Sequence, residues 1–355
     1  MMRQADIIVL GLGPAGSSAA LAAAKSGAQV IGYDRKLVPG EPVQCAEFVP
    51  TLIGNEVRGL AQTSVQSINA MNTIVENEPD WHTPNFPGRM IDRAAFDAGL
   101  AQQARDAGAD LHFGISVKSI DDQGIVSLSN GETITGKFII GADGPRSIVG
   151  QCIGSVNCEI VETRQINVDL LDTHSATDIW LSSDIPGGYG WLFPKRNTAN
   201  IGLGVNSACK SRLKPALERL HARLVEQGRV GASVHGWTGG AIPVGGLIRS
   251  QGKLGQATVL LAGDAAGLTH PVTGAGITSA VISGRLAGEA VIAALCGEAD
   301  AVDEYEEELQ DLFGPALNRA LKHRQRLLAT LASQGRLEPD ELRSGWIAFE
   351  TYWAA

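Results

Sequence analysis

Aromatic residues are scarce in this chain, 5% of 355, and positive charge is in deficit: 29 lysines and arginines against 38 aspartates and glutamates leave a net charge of -9. A nucleic-acid partner is therefore not expected, because phosphate binding needs a basic field. The five cysteines, Cys45, Cys152, Cys158, Cys209 and Cys296, form no CxxC and have no histidines at zinc spacing, which argues against a metal site and a disulfide framework. Cys152 and Cys158 lie six positions apart and do not have the spacing of a helical redox pair. No apolar run approaches the roughly 18 residues of a membrane span, and the opening MMRQADIIVLG runs into a glycine motif instead of a cleavage site. The expectation is a cytoplasmic protein. There is no internal repeat or low-complexity segment. What is present is an ordinary globular balance, 44% hydrophobic and 19% charged, enough for one large core or two smaller ones.

The first informative stretch is Asp6 to Leu10 followed by GLGPAG. The continuous apolar run predicts a strand buried on both faces, the alanine-rich SSAALAAAKSG predicts a helix ending at Gly27, and Gln29 to Tyr33 predicts a second strand ending at Asp34. Gly11, Gly13 and Gly16 stand in the GxGxxG pattern, and Asp34 follows Gly16 by 18 residues, close to the roughly 20 expected of a carboxylate that accepts ribose hydroxyls. A dinucleotide site is expected, with pyrophosphate at the helix N-terminus beside Pro14 and Ala15. The pattern alone does not separate NAD from FAD.

Two further motifs address that choice. Residues 257 to 262 (ATVLLA) predict a buried strand leading into Gly263 and Asp264, a glycine-rich loop through Pro271, Gly274, Ala275 and Gly276, and a small-residue helix from Ile277. A carboxylate at a strand end suits the polyol of a ribityl chain, and the loop's N–H groups suit the charge of a reduced flavin. In KFIIGADGPRS, a strand ends at Gly141 and Asp143-Gly144 make a turn.

These three motifs, in this order, resemble the FAD-binding domain of the flavoprotein hydroxylase and geranylgeranyl reductase superfamily, and IDRAAFD at 91 to 97 resembles a further element of it. The resemblance implies that Arg93 lies by the FAD phosphates and that Gly11, Gly13, Pro14, Ala15, Gly16, Asp34, Arg35, Asp143, Gly144, Gly263, Asp264 and the 271 to 277 segment hold FAD. The Cys45-Ala46-Glu47 segment resembles a cysteine-containing loop near the flavin in geranylgeranyl reductases, and GGAIPVGG at 239 to 246 resembles a glycine-rich strand of the same proteins.

One more stretch, GGYGWLFPKRN at 187 to 197, places Tyr189, Trp191 and Phe193 at alternate positions. Alternation predicts a strand showing three rings to one face, and Pro194 predicts that the strand stops at an edge or wall. By itself this reads as an aromatic core strand. It also resembles the YxWxFP signature of geranylgeranyl reductases, which implies rings lining a substrate cavity before the flavin.

The expected fold is α/β: a Rossmann-like FAD-binding domain of the glutathione-reductase/hydroxylase type, with an inserted antiparallel β-sheet substrate domain and a short C-terminal helical region. The FAD-binding domain is expected from 1–60, 89–163 and 255–300, the substrate domain from 61–88 and 164–254, and the helical region from 301–355. That last region begins acidic (DEYEEELQD) and turns basic (LKHRQR); it reads as a solvated face or, at its basic end, as a dock for lipid heads or a partner.

The resemblance implies a hydride passed from reduced flavin to a C=C bond of an isoprenoid or other apolar substrate. No second GxGxxG is present, so the donor, NAD(P)H or a redox protein, would visit the flavin transiently. An alkene also needs a proton, and Tyr189, Cys45, Glu47 and His270 are the candidate donors, His270 reading equally as a packed loop residue and Cys45 as a structural thiol. Two other readings stay open: a flavoprotein that delivers electrons to a partner redox enzyme, and a monooxygenase. The WxWxIP pattern of halogenases is not matched at Tyr189 and Phe193.

Overall fold

The computed structural model describes residues 2–50, 62–76 and 78–354. The expected domain boundary at 60/61 lies outside them.

The first sheet has eight strands. Its parallel core runs in the order β17 (Ala257–Leu261), β9 (Thr133–Gly141), β1 (Met2–Leu10), β2 (Val30–Asp34), β6 (Asp110–Phe113), with β16 (Gln251–Leu254) antiparallel at one edge and the β7 (Val117–Ile120) and β8 (Val126–Leu128) hairpin attached to β9. Ile7, Ile8, Val9 and Leu10 are wholly buried, as strands covered on both faces must be. Helix α1 (Pro14–Ala24) crosses from β1 to β2 and packs against α5 (Ile277–Leu295). Their contact is close because glycines face it: a Cβ on Gly284 would lie 2.0 Å from the Ala15 carbonyl oxygen. Helix α2 (Arg93–Asp106) packs on α1, and α3 (Ile148–Cys152) follows β9.

The second sheet has nine strands in the order β14 (Val230–Thr238), β10 (Ile160–Leu170), β13 (Thr198–Asn206), β12 (Gly190–Lys195), β11 (Ala176–Leu181), β4 (Ser64–Val75), β5 (Trp81–Ile91), β3 (Phe48–Pro50), with β15 (Ala241–Pro243) on β10. It is not purely antiparallel, as expected, because β11 and β4 run parallel. That pairing joins strands about 100 positions apart in sequence, beyond the reach of a hairpin. Phe48–Pro50, inside the first stretch expected for the FAD domain, pairs with β5 of this sheet. Helix α4 (Leu213–Glu226) covers one face, burying Leu213, Leu217, Leu220 and Leu224 at helical spacing.

Three sequence expectations are corrected. Strand β12 does not stop at Pro194 but runs to Lys195, closing a two-residue turn onto β13. Proline is tolerated there because pairing with β11 has already ended at Leu192. Helix α5 is long and apolar enough by length and composition to cross a membrane, although its run is interrupted by Arg285 and Glu289; half of it is buried against the molecule's own core. Finally, the acidic and basic faces of the last region lie on one helix, α6 (Ala301–Gln334), and are not uniformly solvated. Glu306 accepts from the Ser250 amide, Tyr305 donates to the Leu261 carbonyl, and His323 and Arg324 are buried. Two short helices, α7 (Pro339–Ser344) and α8 (Glu350–Trp353), follow.

Candidate functional site

The three glycine motifs, separated by more than a hundred residues each, arrive at the C-terminal ends of neighbouring parallel strands. Leu10, Gly141 and Leu261 are in register across β1, β9 and β17, and strand order reverses between β1 and β9. Such a reversal opens a crevice where ligands bind. The Gly11 turn has φ of +89°, and a Cβ there would fall 2.3 Å from the Ala142 carbonyl oxygen. A Cβ at Gly16 would fall 1.8 Å from the Gly11 oxygen, so α1 can approach β1 only with glycine. At Gly13 and Gly144, by contrast, a Cβ would meet nothing within 4 Å: both open onto the cavity. Asp34 ends β2 and accepts from the Leu12 amide at 2.7 Å and the Lys36 amide at 2.8 Å, bracing the loop.

That cavity, about 640 Å³, lies between the two sheets' ends and is lined by Gly13, Pro14, Ala15, Cys45, Ala46, Arg93 and Gly144. The 271–277 loop and Asp264 line it as well. Helices α1 and α5 both begin on it at glycines, Gly13 and Gly276, with no side chain capping their first turns. Their unpaired N–H groups suit anionic oxygens. The Asp264 carboxylate accepts from the Thr269 hydroxyl at 2.9 Å through Oδ1; burial raises its pKa, against the pull of Thr269 and Arg93. Among the described residues no side chain donates to Oδ2, which suits a polyol hydroxyl. These features fit FAD.

Not every predicted cofactor residue reaches the cavity. Gly11, Gly16 and Gly263 shape the backbone behind it. Asp143 is drawn away: its carboxylate accepts from the Ser147 hydroxyl and the Ile148 and Val149 amides, capping α3. Arg35 is exposed and does not line the cavity. Arg93 makes an ion pair with Asp97 at 2.7 Å; burial opposes its charge, yet Asp97 and Cys45 hold its pKa above the ordinary range.

The aromatic stretch forms one wall. Trp191 and Phe193 are 6% exposed, so the rings belong to a core cluster and line the cavity at once. Centroids run Phe86 to Phe48 at 6.0 Å, Phe48 to Phe193 at 5.5 Å, Phe193 to Trp191 at 6.2 Å, Trp191 to Tyr189 at 5.7 Å and Tyr189 to Trp346 at 4.9 Å. Six rings thus make a continuous surface. Trp191 Nε1 donates to Gln165 Oε1 at 2.9 Å, and the Tyr189 hydroxyl donates to the Thr273 carbonyl at 2.6 Å, tying the wall to the flavin-side loop.

Glu47 is the polar centre. It is 6% exposed, at φ of +67°, and accepts from Lys195 Nζ at 2.9 Å through both oxygens, from Asn200 Nδ2 at 3.1 Å and from the Arg93 amide at 3.1 Å. Its own amide donates to Cys45 Sγ at 3.2 Å. His270 also lines the cavity, but burial pushes its pKa down to about 4, and Nδ1 accepts from the Thr273 amide. Burial, with Cys45 nearby, pushes the Tyr189 phenol well up.

Residues 61–319 match the FAD binding domain family model. A digeranylgeranylglycerophospholipid reductase of Methanocella arvoryzae is 30% identical over 353 residues, covering 91% of this chain and 87% of that protein. The corresponding enzyme 2 of Methanosphaera stadtmanae is 34% identical, covering 81% and 77%. The chain belongs to the geranylgeranyl reductase family. It is an FAD-dependent oxidoreductase. A solved geranylgeranyl bacteriochlorophyll reductase-like protein from Thermoplasma acidophilum superposes with a TM-score of 0.81 at 25% identity, covering 96% of this chain and 90% of that one. A probable FAD-dependent monooxygenase, pqsL of Pseudomonas aeruginosa, shares the fold at 16% identity and a TM-score of 0.68, covering 93% and 100%.

Sequence reasoning did not find Gln165, Lys195, Asn200, Phe48, Phe86, Arg324 or Trp346. For Lys195 and Asn200 a signal existed: both border the aromatic strand, two residues past Phe193 and across the turn. Trp346 and Arg324 carry no such proximity.

Proposed function

We propose that this enzyme reduces carbon–carbon double bonds of an isoprenoid lipid whose slender chain lies along the six-ring wall. One observation carries the reading: the wall and the cofactor loops line the same cavity, and the Tyr189–Thr273 hydrogen bond joins them. In this reading, Tyr189, Trp191 and Phe193 hold the substrate, and the segments 1–60, 89–163 and 255–300 hold FAD. The second sheet, which draws on 48–50, 64–75, 81–91 and 160–243, supplies most of the wall. The names of the archaeal relatives agree with such a substrate.

Bound FAD supplies a ring that passes on a hydride. The chain's own residues exclude water, orient the alkene and give the proton that an electron-rich double bond requires. Both Glu47 carboxylate oxygens are engaged by Lys195, Asn200 and the Arg93 amide, so Glu47 positions rather than donates. The His270 imidazole is neutral near pH 7 because burial disfavours its charge, and the Tyr189 phenol is already committed to Thr273 and hard to ionise. Cys45 remains the candidate donor by position: its sulfur lines the cavity and is held in place by the Glu47 amide. NAD(P)H or a small redox protein reduces the flavin by transient docking, in the cytoplasm or at a membrane surface.

The test is anaerobic. The reduced holoprotein is mixed with a geranylgeranyl compound, and flavin reoxidation is followed with product mass. Reoxidation with a gain of about two mass units per double bond is expected from hydride plus proton; flavin that stays reduced with every prenyl compound refutes the proposal.

A further inference from the structure

Four strands of the second sheet bring a row of residues into register. Trp191 on β12 pairs with Gly202 on β13, Gly202 with Gln165 on β10, and Gln165 with Thr238 on β14. Partners in register across a sheet point to one face, so this row looks the same way as the ring wall. Its second member is a glycine for a packing reason: a Cβ at Gly202 would fall 2.3 Å from the Trp191 ring. The indole thus crosses β13 over Gly202 and reaches β10, where its Nε1 donates to Gln165 Oε1 at 2.9 Å. Gln165 is only 5% exposed and lines the cavity.

An indole N–H can only donate, so the oxygen of the Gln165 amide is fixed toward Trp191 and its nitrogen must point elsewhere. That nitrogen donates to the Cys45 carbonyl at 3.1 Å. Both ends of one buried amide are therefore engaged, one by the ring wall and one by the loop that carries the thiol. Neighbouring strands hold the same loop: the Thr238 hydroxyl donates to the Val43 carbonyl at 2.7 Å, and Asn200 Nδ2 to the Ala46 carbonyl at 3.3 Å. The bond through Gln165 is the one that continues to an aromatic ring. We propose that Gln165 is a positioning residue that couples the aromatic wall to the Cys45 loop, keeping the ring that a substrate lies on and the thiol in the same cavity in a fixed relation. The coupling stands on the hydrogen bonds themselves; its effect on alkene reduction rests on the function proposed above.

The experiment follows alkylation of Cys45 by iodoacetamide, read by peptide mass, in FAD-loaded wild type, Gln165→Met, Trp191→Phe and the double variant. Exposed Cys158 is the internal reference. Gln165→Met keeps the side chain's length and removes both hydrogen bonds, and Gln165→Leu takes its place if the methionine protein does not fold. Cys45 alkylation relative to Cys158 should become about 2- to 10-fold faster, the range that one net hydrogen bond allows. Trp191→Phe keeps a ring and removes the N–H; it should also speed Cys45, although no hydrogen bond joins the indole to the loop. In the double variant it should add nothing, because the connection is already cut. Equal Cys45 rates in wild type and Gln165→Met overturn the proposal, and so do independent, multiplying effects of the two substitutions. Loss of FAD from both Gln165 variants overturns it too, by making Gln165 a cofactor-site residue. In anaerobic flavin reoxidation with a geranylgeranyl compound, Gln165→Met should lower the maximal rate by about 10- to 100-fold and leave the half-saturating concentration within about twofold, as misplacement of a reacting group does. An unchanged maximal rate refutes the positioning role. If the wild type reduces no prenyl compound, the isoprenoid reading fails, and the alkylation rates still decide the coupling.

Discussion

Breaking the Glu47–Lys195 pair should unseat the loop that carries Cys45. Glu47 ties together four pieces of chain: its own loop, Lys195 at the end of β12, Asn200 on β13 and the first amide of α2. Its left-handed backbone costs a non-glycine residue roughly 1–2 kcal/mol, which these bonds offset. Removing one partner of a fully buried ion pair costs roughly 3–5 kcal/mol. Glu47 is that buried, but the Lys195 side chain is 25% exposed, so water can replace part of what is lost. We expect Lys195→Met to destabilise the holoprotein by about 2–3 kcal/mol and Glu47→Gln by about 1–2 kcal/mol, since a freed lysine can turn to solvent. The double variant should cost about 1–2 kcal/mol less than their sum, the coupling of residues in one network. Urea unfolding followed by tryptophan fluorescence, with unchanged m-values, measures all three. Turnover should fall in each variant while FAD stays bound. Additivity within about 0.5 kcal/mol would show that the pair is not a clamp.

Trp191→Ala should leave FAD bound, by its visible absorbance, while prenyl turnover falls by at least about tenfold, the effect of roughly 1.4 kcal/mol of lost positioning. The stability loss should be below the roughly 3–5 kcal/mol of a tryptophan deleted from a closed core, because this ring borders an open cavity; release of FAD or unfolding at room temperature would return the rings to a purely structural role. His270 predicts a pH dependence. Its folded pKa, about 4, lies below its ordinary 6.5, so the unfolded chain binds more protons between those values. The stabilisation is complete above pH 6.5 and is lost as pH falls toward 4, by roughly 3 kcal/mol at the low end. Replacing His270 with Gln should flatten that slope in denaturation series between pH 7 and 4.5; identical slopes with and without the histidine would contradict it.

The cofactor half was legible because its chemistry is local. A glycine whose Cβ would strike the Ala142 carbonyl, as at Gly11, and a helix opening on an unfilled position, as at Gly13, require particular residues within a few positions of one another. Asp143 shows the limit of that reasoning. Its place after a strand suggested a cofactor ligand, but Ser147 and the free amides of α3 lie within four to six residues and take the carboxylate. The substrate half was less legible because its parts meet only through the sheet. Phe48 reaches Phe193 across about 145 positions, and the parallel β4–β11 pairing has no turn signal to announce it.

Helix α6 shows how a further signal could be read. Leu317, Ala320 and Arg324 fall at helical spacing on its buried face, with Leu327, Leu328 and Leu331 continuing it. The charge run LKHRQR therefore mixes two environments: Lys322 and Arg326 face outward, whereas Arg324 occupies a position where the period calls for an apolar side chain. An arginine on an apolar stripe is costly unless something accepts its protons. Here the protein gives one carbonyl, at Gly187, and a distant carboxylate. Arg324 Nε and Nη2 and Trp346 Nε1 are buried without a hydrogen bond. The helical period, and not the local charge run, therefore decides which of these cations is buried.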